Sequence, residues 1–223
     1  KLDFKNDASF ADMYYMNYDD TLLFKKRMPT SAMVPYTEFC KNHEHPERVM
    51  RLLFNDDDYW KNHLNADKLY EVLFKQASNV QSTELRKSMS LYDLFTDDEI
   101  YDLWQINNAW WYINYGACPL NGGKQPYSQR NLLRKIISDA DSCIALPHPG
   151  ATLRYGHDTM VMPLTCLMDL DGMGMEVSDL EQLAYKGWNN YRIFPMACNI
   201  QLVFYHKKGS KDILVKVLRN ENE

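Results

Sequence analysis

Residues 154–158 place an arginine, a histidine and an aspartate close together, in the order Arg154-Tyr155-Gly156-His157-Asp158. The sequence predicts a short strand at Ala151–Tyr155 that turns at Gly156 and leads into a helix over 157–170. In open α/β sheets, ligands bind beyond the carboxyl ends of strands, and the start of a helix offers free N–H groups that suit a phosphate. His157 can donate to a phosphate oxygen, Asp158 can act as a general acid, and Arg154 adds a fixed positive charge. Spacing alone leaves open the alternative that His157 and Asp158 only cap a helix.

The predicted secondary structure around these side chains changes near Pro147, from mainly helical to mixed helix and strand. Before it, apolar residues recur at helical spacing in runs that begin at Pro46, Ala66, Thr96 and Ser128. The run at Thr96 opens with a capping box, Thr96-Asp97-Asp98-Glu99, and is predicted to end at Gly116.

After Pro147, the segments 199–206 and 212–218 are rich in β-forming residues and are joined by Lys207-Lys208-Gly209-Ser210-Lys211. This pattern predicts a β-hairpin. A strand, a turn and a helix followed by a hairpin are typical of an α/β sheet, so the fold class predicted is α/β, with a helical domain beside it.

Two further groups of residues could bind ligands. Lys124, Arg130 and Arg134 flank the Gly-Gly pair of a Gly- and Pro-rich loop, Cys118–Tyr127. They could reach the phosphates of a polyanionic substrate or form a solvated helix face. His43-Glu44-His45-Pro46-Glu47, with three aspartates at 56–58, could suggest a metal site. A solvated loop and helix start explains that segment better, because nothing fixes a tetrahedral ligand spacing, and we predict no metal and no cofactor.

The composition is that of a globular protein, with 45% hydrophobic and 25% charged residues. A net charge of -5 argues against non-specific nucleic-acid binding, and no apolar run is long enough for a membrane helix. The five cysteines show no close pairing, which disfavours a zinc site and leaves either free thiols or a single disulfide.

The stretch Leu153-Arg154-Tyr155-Gly156-His157-Asp158-Thr159, followed by Pro163-Leu164, resembles the C-terminal signature of histidine acid phosphatases. The Arg-aromatic-Gly-His context is similar to the branch of bacterial inositol-polyphosphate phosphatases and phytases, although many of those have Ala-Glu after the histidine. Trp110-Trp111-Tyr112, Pro119-Leu120-Asn121-Gly122-Gly123, Gln129-Arg130-Asn131-Leu132-Leu133 and the closing Leu214 to Glu221 fit the same branch. The resemblance covers about residues 90–221.

The resemblance implies part of a phosphoglycerate-mutase-like three-layer α/β/α domain with an inserted helical cap domain. Residues 1–35 would connect within the α/β domain, residues 36–145 would form the cap, and residues 146–223 would be the C-terminal part of the phosphatase domain. It further implies hydrolysis of phosphomonoesters, phytate or other inositol polyphosphates above all, through a phosphohistidine. His157 would bind the phosphate and Asp158 would protonate the leaving group. A periplasmic or secreted location is also an implication of the family.

The chain departs from the family in one respect that decides activity. The nucleophilic histidine of the family lies in an Arg-His-Gly-x-Arg-x-Pro motif, and the 223 residues contain neither Arg-His nor His-Gly. We therefore expect the chain to be a piece of a longer enzyme and to be inactive alone. The alternative is a non-catalytic domain that keeps the fold and binds an anionic ligand or a protein.

Overall fold

A computed structural model of the chain describes residues 28–222, which fall into two compact units. The helical unit comprises Val34–Trp110. The mixed unit comprises, among the described residues, Met28–Met33 and the chain from Trp111 onward. The predicted connecting segment, residues 1–35, lies for the most part outside the described residues, and the predicted division at residue 145 stays a prediction.

Five helices carry the chain through the helical unit, and the first and last of them run across its boundaries. Their bounds are α1 Thr30–His43, α2 Glu47–Leu53, α3 Asp57–His63, α4 Ala66–Val80 and α5 Asp97–Tyr115. Short 3-10 turns at Glu84–Lys87 and Tyr92–Leu94 join α4 to α5. The predicted runs at Pro46, Ala66 and Thr96 correspond to α2, α4 and α5.

The core of the helical unit is formed by α2, α3, α4 and α5. Tyr70 on α4 is fully buried and its ring centroid lies 5.5 Å from that of Phe95. Val49 and Met50 on α2 are also fully buried. Burying a side chain of this size contributes roughly 1.5–3 kcal/mol, so these contacts are the main support of the unit.

The capping box predicted at Thr96 is present. The Glu99 N–H donates to Thr96 Oγ1 at 3.3 Å, and the Thr96 N–H donates to Glu99 Oε2 at 2.8 Å. The same carboxylate accepts a hydrogen bond from Arg48 Nε at 2.8 Å, which ties α2 to the start of α5. Burial acts to raise the pKa of Glu99, and the bonds from Arg48 and Thr96 outweigh it, so the pKa lies below its ordinary value.

Glu99→Gln is expected to lower the free energy of unfolding near pH 7 by about 1 kcal/mol, because Arg48 is partly screened by solvent. A depressed carboxyl pKa stabilises the fold above its unfolded value of about 4.3 and ceases to do so as the pH falls through the folded value. The gap between wild type and variant should therefore shrink below about pH 4. Urea unfolding at several pH values measures this difference in the free energy of unfolding.

Glu84→Gln is the control, because it removes an ion pair with Lys87 in which both side chains are exposed. It should change the free energy of unfolding by less than about 0.5 kcal/mol. A gap that is constant with pH would contradict the assignment.

The mixed unit holds three helices and one hairpin among its described residues. Their bounds are α6 Arg130–Ile144, α7 Asp158–Leu167, α8 Asn190–Ile193, β1 Ile200–His206 and β2 Ile213–Arg219. Two 3-10 turns precede α6, at Pro119–Asn121 and Gln125–Gln129, and two lie between α7 and α8, at Leu170–Gly172 and Leu180–Gln182.

Tyr112, near the end of α5, organises the core of the mixed unit. Its ring is fully buried and meets the ring of the fully buried Trp188 edge-on, with 4.9 Å between centroids. The hydroxyl accepts a hydrogen bond from the Val177 N–H at 2.7 Å and donates to the Met175 carbonyl at 3.1 Å. Burial raises the pKa of Tyr112 above the range of a free tyrosine, so the hydroxyl stays protonated and can make both bonds.

Gly116 ends α5 as predicted, and its lack of a side chain is required by packing. A Cβ at this position would lie 2.7 Å from a ring carbon of Tyr112 and 2.8 Å from the Tyr112 carbonyl oxygen. We expect Gly116→Ala to cost about 1–3 kcal/mol of stability, the range for overpacking, as measured by chemical denaturation. Gly150→Ala is the matched control, because nothing lies within 4 Å of its Cβ position. Equal effects of the two changes would refute the packing argument.

The predicted hairpin is confirmed, with β1 and β2 antiparallel and Val203 opposite Lys216. Its open end is fastened to the rest of the unit. Arg219 Nη1 donates to the Arg192 carbonyl at 2.7 Å, and Arg219 Nε donates to Asp171 Oδ2 at 3.1 Å. The hairpin therefore projects from a fixed base.

The fold is thus mixed and rich in helix, with a two-stranded sheet in its described part. The short strand predicted at Ala151–Tyr155 is wrong, because these residues form no ladder. A strand exists only through hydrogen bonds to a neighbouring strand, and the hairpin is the sole sheet between residues 28 and 222. None of the described helices is both long enough and apolar enough to cross a bilayer.

Candidate active site

His157 and Asp158 lie at the N-terminus of α7, where the sequence predicts them. His157 is the N-cap residue with extended backbone (φ -121°, ψ 162°), and its side chain makes no capping bond. Asp158 is the first helical residue, and its Oδ1 accepts a hydrogen bond from the Thr159 N–H at 2.7 Å. Both side chains are exposed. Both can therefore contact a ligand, and Asp158 also satisfies one of the free backbone N–H groups at the start of the helix.

The helix that carries this pair is held firmly at its other end. The five residues from Met162 to Cys166 are buried, and Thr165 Oγ1 donates to the Val161 carbonyl at 2.9 Å. Pro163 lies inside the helix, where its missing N–H removes one backbone bond. The buried part of the helix therefore fixes the backbone at His157 and Asp158 relative to the core, and their side chains extend into solvent.

Arg154 is not directed to the same place as His157. One guanidinium nitrogen, Nη2, donates to Asp139 Oδ2 on α6, and the other oxygen of Asp139 lies 3.2 Å from Lys135 Nζ. Arg154 Nε is buried and finds no hydrogen-bond partner among residues 28–222. Burial acts to raise the pKa of Asp139, and the two cations outweigh it, so the pKa lies below its ordinary value. The trio carries a net charge of +1.

The segment before His157 runs back along α6. Besides the pair Asp139–Arg154, Cys143 Sγ lies 3.8 Å from Thr152 Oγ1. Four residues of helix span about 6 Å and two residues of extended chain span about 6.6 Å, so the two contacts fit an extended segment antiparallel to α6. Side chains alternate along such a segment, which turns Arg154 toward α6 and its odd-numbered neighbours away from it.

Exposure supports the inward direction of Arg154, which is the only residue between 141 and 158 that is not exposed, whereas Thr152 is exposed despite its contact with Cys143. Leu153 is 70% exposed and Tyr155 is 87% exposed. His157 and Asp158 lie side by side at the start of α7, and their role as a site stays a prediction. Among the described residues, no hydrogen bond or ion pair joins Arg154 to either of them.

Lys124 and Arg130 flank the 3-10 turn Gln125–Gln129, which packs against α7. Lys124 is exposed, and Arg130 Nη1 donates to the Tyr127 carbonyl at 2.8 Å. Both cations therefore belong to chain that adjoins α7, and their contact with a substrate stays a prediction.

The five cysteines are free thiols. Burial raises the pKa of Cys118 to about 11 and that of Cys166 to about 12, so neither forms a thiolate nucleophile near neutral pH. Burial, and then the charge of the Asp158 carboxylate, raises the pKa of Cys198.

The residues weighed as a metal site serve other purposes in the helical unit. His43 Nδ1 lies 2.7 Å from Asp102 Oδ1, and Asp56 Oδ1 accepts hydrogen bonds from two N–H groups at the start of α3. Asp57 pairs with Arg51 at 3.1 Å. Within residues 28–222, no group of three or more histidine, cysteine or acidic side chains is arranged to hold a metal ion.

Sequence reasoning missed Asp139 and Lys135. Their spacing of four on one helix is the pattern of an ion pair, and it was available in the sequence. The pairing of Asp139 with Arg154 was not, because it depends on the chain turning back along α6.

The sequence matches no protein-family model, and it matches no curated protein.

Proposed function

We propose that this protein is a phosphomonoesterase of the histidine acid phosphatase type, with phytate or another inositol polyphosphate as substrate. The observation that carries the proposal is the adjacent, exposed pair His157 and Asp158 at the N-terminus of a helix fixed in the core. The motif around the pair, described above, supplies the reaction class. The three-layer α/β/α fold and the cap domain belong to the same proposal.

In the proposed reaction, a histidine of an Arg-His-Gly segment outside these 223 residues attacks phosphorus, and the bond from phosphorus to the alkoxide oxygen breaks. Asp158 gives its proton to the leaving alkoxide and then takes a proton from the water that cleaves the phosphohistidine. His157 donates to a phosphoryl oxygen, aided by the free N–H groups and the positive end of the dipole of α7. Arg154 supplies positive charge, Lys124 and Arg130 bind outlying phosphates, and the chemistry requires no metal or cofactor.

The test is phosphate release by the protein when residues 1–223 are joined to the Arg-His-Gly segment. We expect hydrolysis of phytate or p-nitrophenyl phosphate with an optimum between about pH 4 and pH 7, where a carboxylic acid can still donate a proton. The chain of 223 residues assayed alone should release none. Absence of phosphate release by the joined protein with both substrates would refute the proposal.

A second candidate is a domain of the same fold that binds an anion or a protein without catalysis. It is favoured by the lack of any Arg-His pair in the 223 residues and by the engagement of Arg154 with Asp139. The gene upstream of Lys1 discriminates between the two. An Arg-His-Gly-x-Arg-x-Pro segment there supports the enzyme, and an upstream sequence without it supports the binding domain. A signal peptide there would support the periplasmic or secreted location.

A further inference from the structure

The chain enters the helical unit through α1 and leaves it through α5, and the side chains of His43 and Asp102 join these two helices. His43 Nδ1 lies 2.7 Å from Asp102 Oδ1. The imidazole side chain is 12% exposed and the carboxylate side chain is 25% exposed, so water screens the pair only in part. The proposed reaction uses neither residue.

The geometry fixes where a proton of this pair lies. An ionised carboxylate only accepts hydrogen bonds, so the contact with Asp102 requires that His43 Nδ1 carries a hydrogen and donates it. Gln105 Nε2 lies 3.2 Å from the same Asp102 oxygen and donates to it as well. The ring of the buried Phe39 packs against the imidazole, with 4.4 Å between centroids. The imidazole is therefore oriented for a hydrogen bond to a carboxylate.

The other charged and titratable groups around this pair, among residues 28–222, come from four elements and are mostly acidic. They are Glu44 beside α1, Arg48 on α2, Asp67, Tyr70 and Glu71 on α4, and Glu99 on α5. The guanidinium of Arg48 is already paired with Glu99, at 2.8 Å from Nε to Oε1. Among the salt bridges of this part of the chain, His43 is the only cationic partner of Asp102. The surroundings therefore favour the imidazolium over the neutral ring.

Burial of the pair acts in the same direction. An isolated buried histidine would lose its proton more easily, because burial disfavours the charged form. His43 is not isolated, since the protonated pair is neutral as a whole, whereas the deprotonated pair carries one uncompensated negative charge. A partly buried position therefore favours the protonated pair.

We propose that His43 and Asp102 form a pH switch within the helical unit, which holds α1 against α5 most firmly when the imidazole is protonated. Neutral His43 can still donate through Nδ1, but the attraction between opposite charges is then lost. A histidine that binds its proton more tightly in the folded state stabilises the fold fully below its unfolded pKa of about 6.5. The stabilisation is lost as the pH rises through the higher pKa of the folded state. This inference does not depend on the phosphatase proposal.

The test is the titration of the His43 ring in the 223-residue chain, followed by NMR and assigned through its contact with Phe39. The wild-type midpoint is expected above about 7, because a carboxylate in contact moves a pKa by about 1 unit or more. Asp102→Asn should lower the midpoint by about 1 unit, since the amide still accepts a hydrogen bond but carries no charge. Asp93→Asn removes an exposed carboxylate of the same unit, so it is the matched control and should leave the midpoint unchanged.

Melting temperatures give an independent measure if Asp102→Asn folds poorly. His43→Gln can keep a neutral hydrogen bond to Asp102 but cannot gain a proton. Its melting temperature should lie further below that of wild type at about pH 5.5 than at about pH 8.5, where the wild-type imidazole is neutral as well. A His43 midpoint below about 7, a midpoint that Asp102→Asn leaves unchanged, or a temperature gap that is equal or larger at the higher pH would overturn the proposal.

Discussion

Asp158→Asn is expected to slow hydrolysis of an alkyl phosphate by the complete enzyme roughly 10²-fold or more, because an amide cannot protonate the leaving alkoxide. The loss should appear in kcat with KM little changed, since the proton moves only in the transition state. p-Nitrophenyl phosphate, whose leaving group departs without a proton, should be affected much less. Steady-state kinetics with both substrates measure the difference.

The same substitution distinguishes two roles for Asp158, that of proton donor and that of a residue that only caps the helix. Asparagine keeps a side-chain oxygen that accepts hydrogen bonds, so it can retain the bond from the Thr159 N–H. A residue that only caps would therefore give a variant with nearly wild-type turnover and melting temperature. Asp141→Asn, which changes another exposed carboxylate of the mixed unit, is the control and should leave kcat unchanged. Wild-type turnover of an alkyl phosphate by Asp158→Asn would remove that residue from the mechanism.

Arg154→Met is expected to weaken binding of inorganic phosphate, a product of the proposed reaction, roughly 10- to 100-fold. A hydrogen bond from a charged donor is worth about 1.5–3 kcal/mol, which corresponds to that range. Competitive inhibition by phosphate measures the change. Asp139→Asn should weaken binding by a smaller factor, because it frees the guanidinium that Asp139 holds.

The double variant Asp139→Asn/Arg154→Met tells whether Asp139 acts through Arg154. If it does, the double variant should bind phosphate no more weakly than Arg154→Met alone, whereas independent effects would multiply. Melting temperatures of the four proteins show whether the fold is retained, and Lys135 remains to neutralise Asp139 when Arg154 is replaced. If Arg154→Met binds phosphate as tightly as wild type does, Arg154 has only the structural role of holding its segment against α6.

Elements specified by local chemistry could be predicted from the sequence. The capping box at Thr96 satisfies backbone groups only three residues away, and Gly116 ends its helix through contact with a residue four positions earlier. The hairpin needs only its two β-rich segments and a flexible loop between them. His157 and Asp158 fall at a helix start for the same reason, since the signals for that start lie within a few residues.

The rest depends on which distant residues meet. Residues 151–155 have a strand-like composition, yet the described chain provides no neighbouring strand, so their hydrogen-bonding groups form no ladder. No apolar periodicity predicts the helix Asp57–His63, because Trp60 is its one buried residue, and Asp56 serves as its cap. Asp139 is an ordinary polar residue of an amphipathic helix until the returning chain places Arg154 against it.

The exposed stretch between α6 and α7 has a consequence for handling the protein. Leu153 and Tyr155 are the preferred cleavage sites of chymotrypsin-like proteases, and both are well exposed on either side of the one residue held to α6. Exposed segments of this kind are where nicking concentrates. A cut after Tyr155 would separate the arginine from the histidine and aspartate while leaving both helices in contact. Such a nicked protein would keep its size on a column under native conditions and reveal the break only on a denaturing gel.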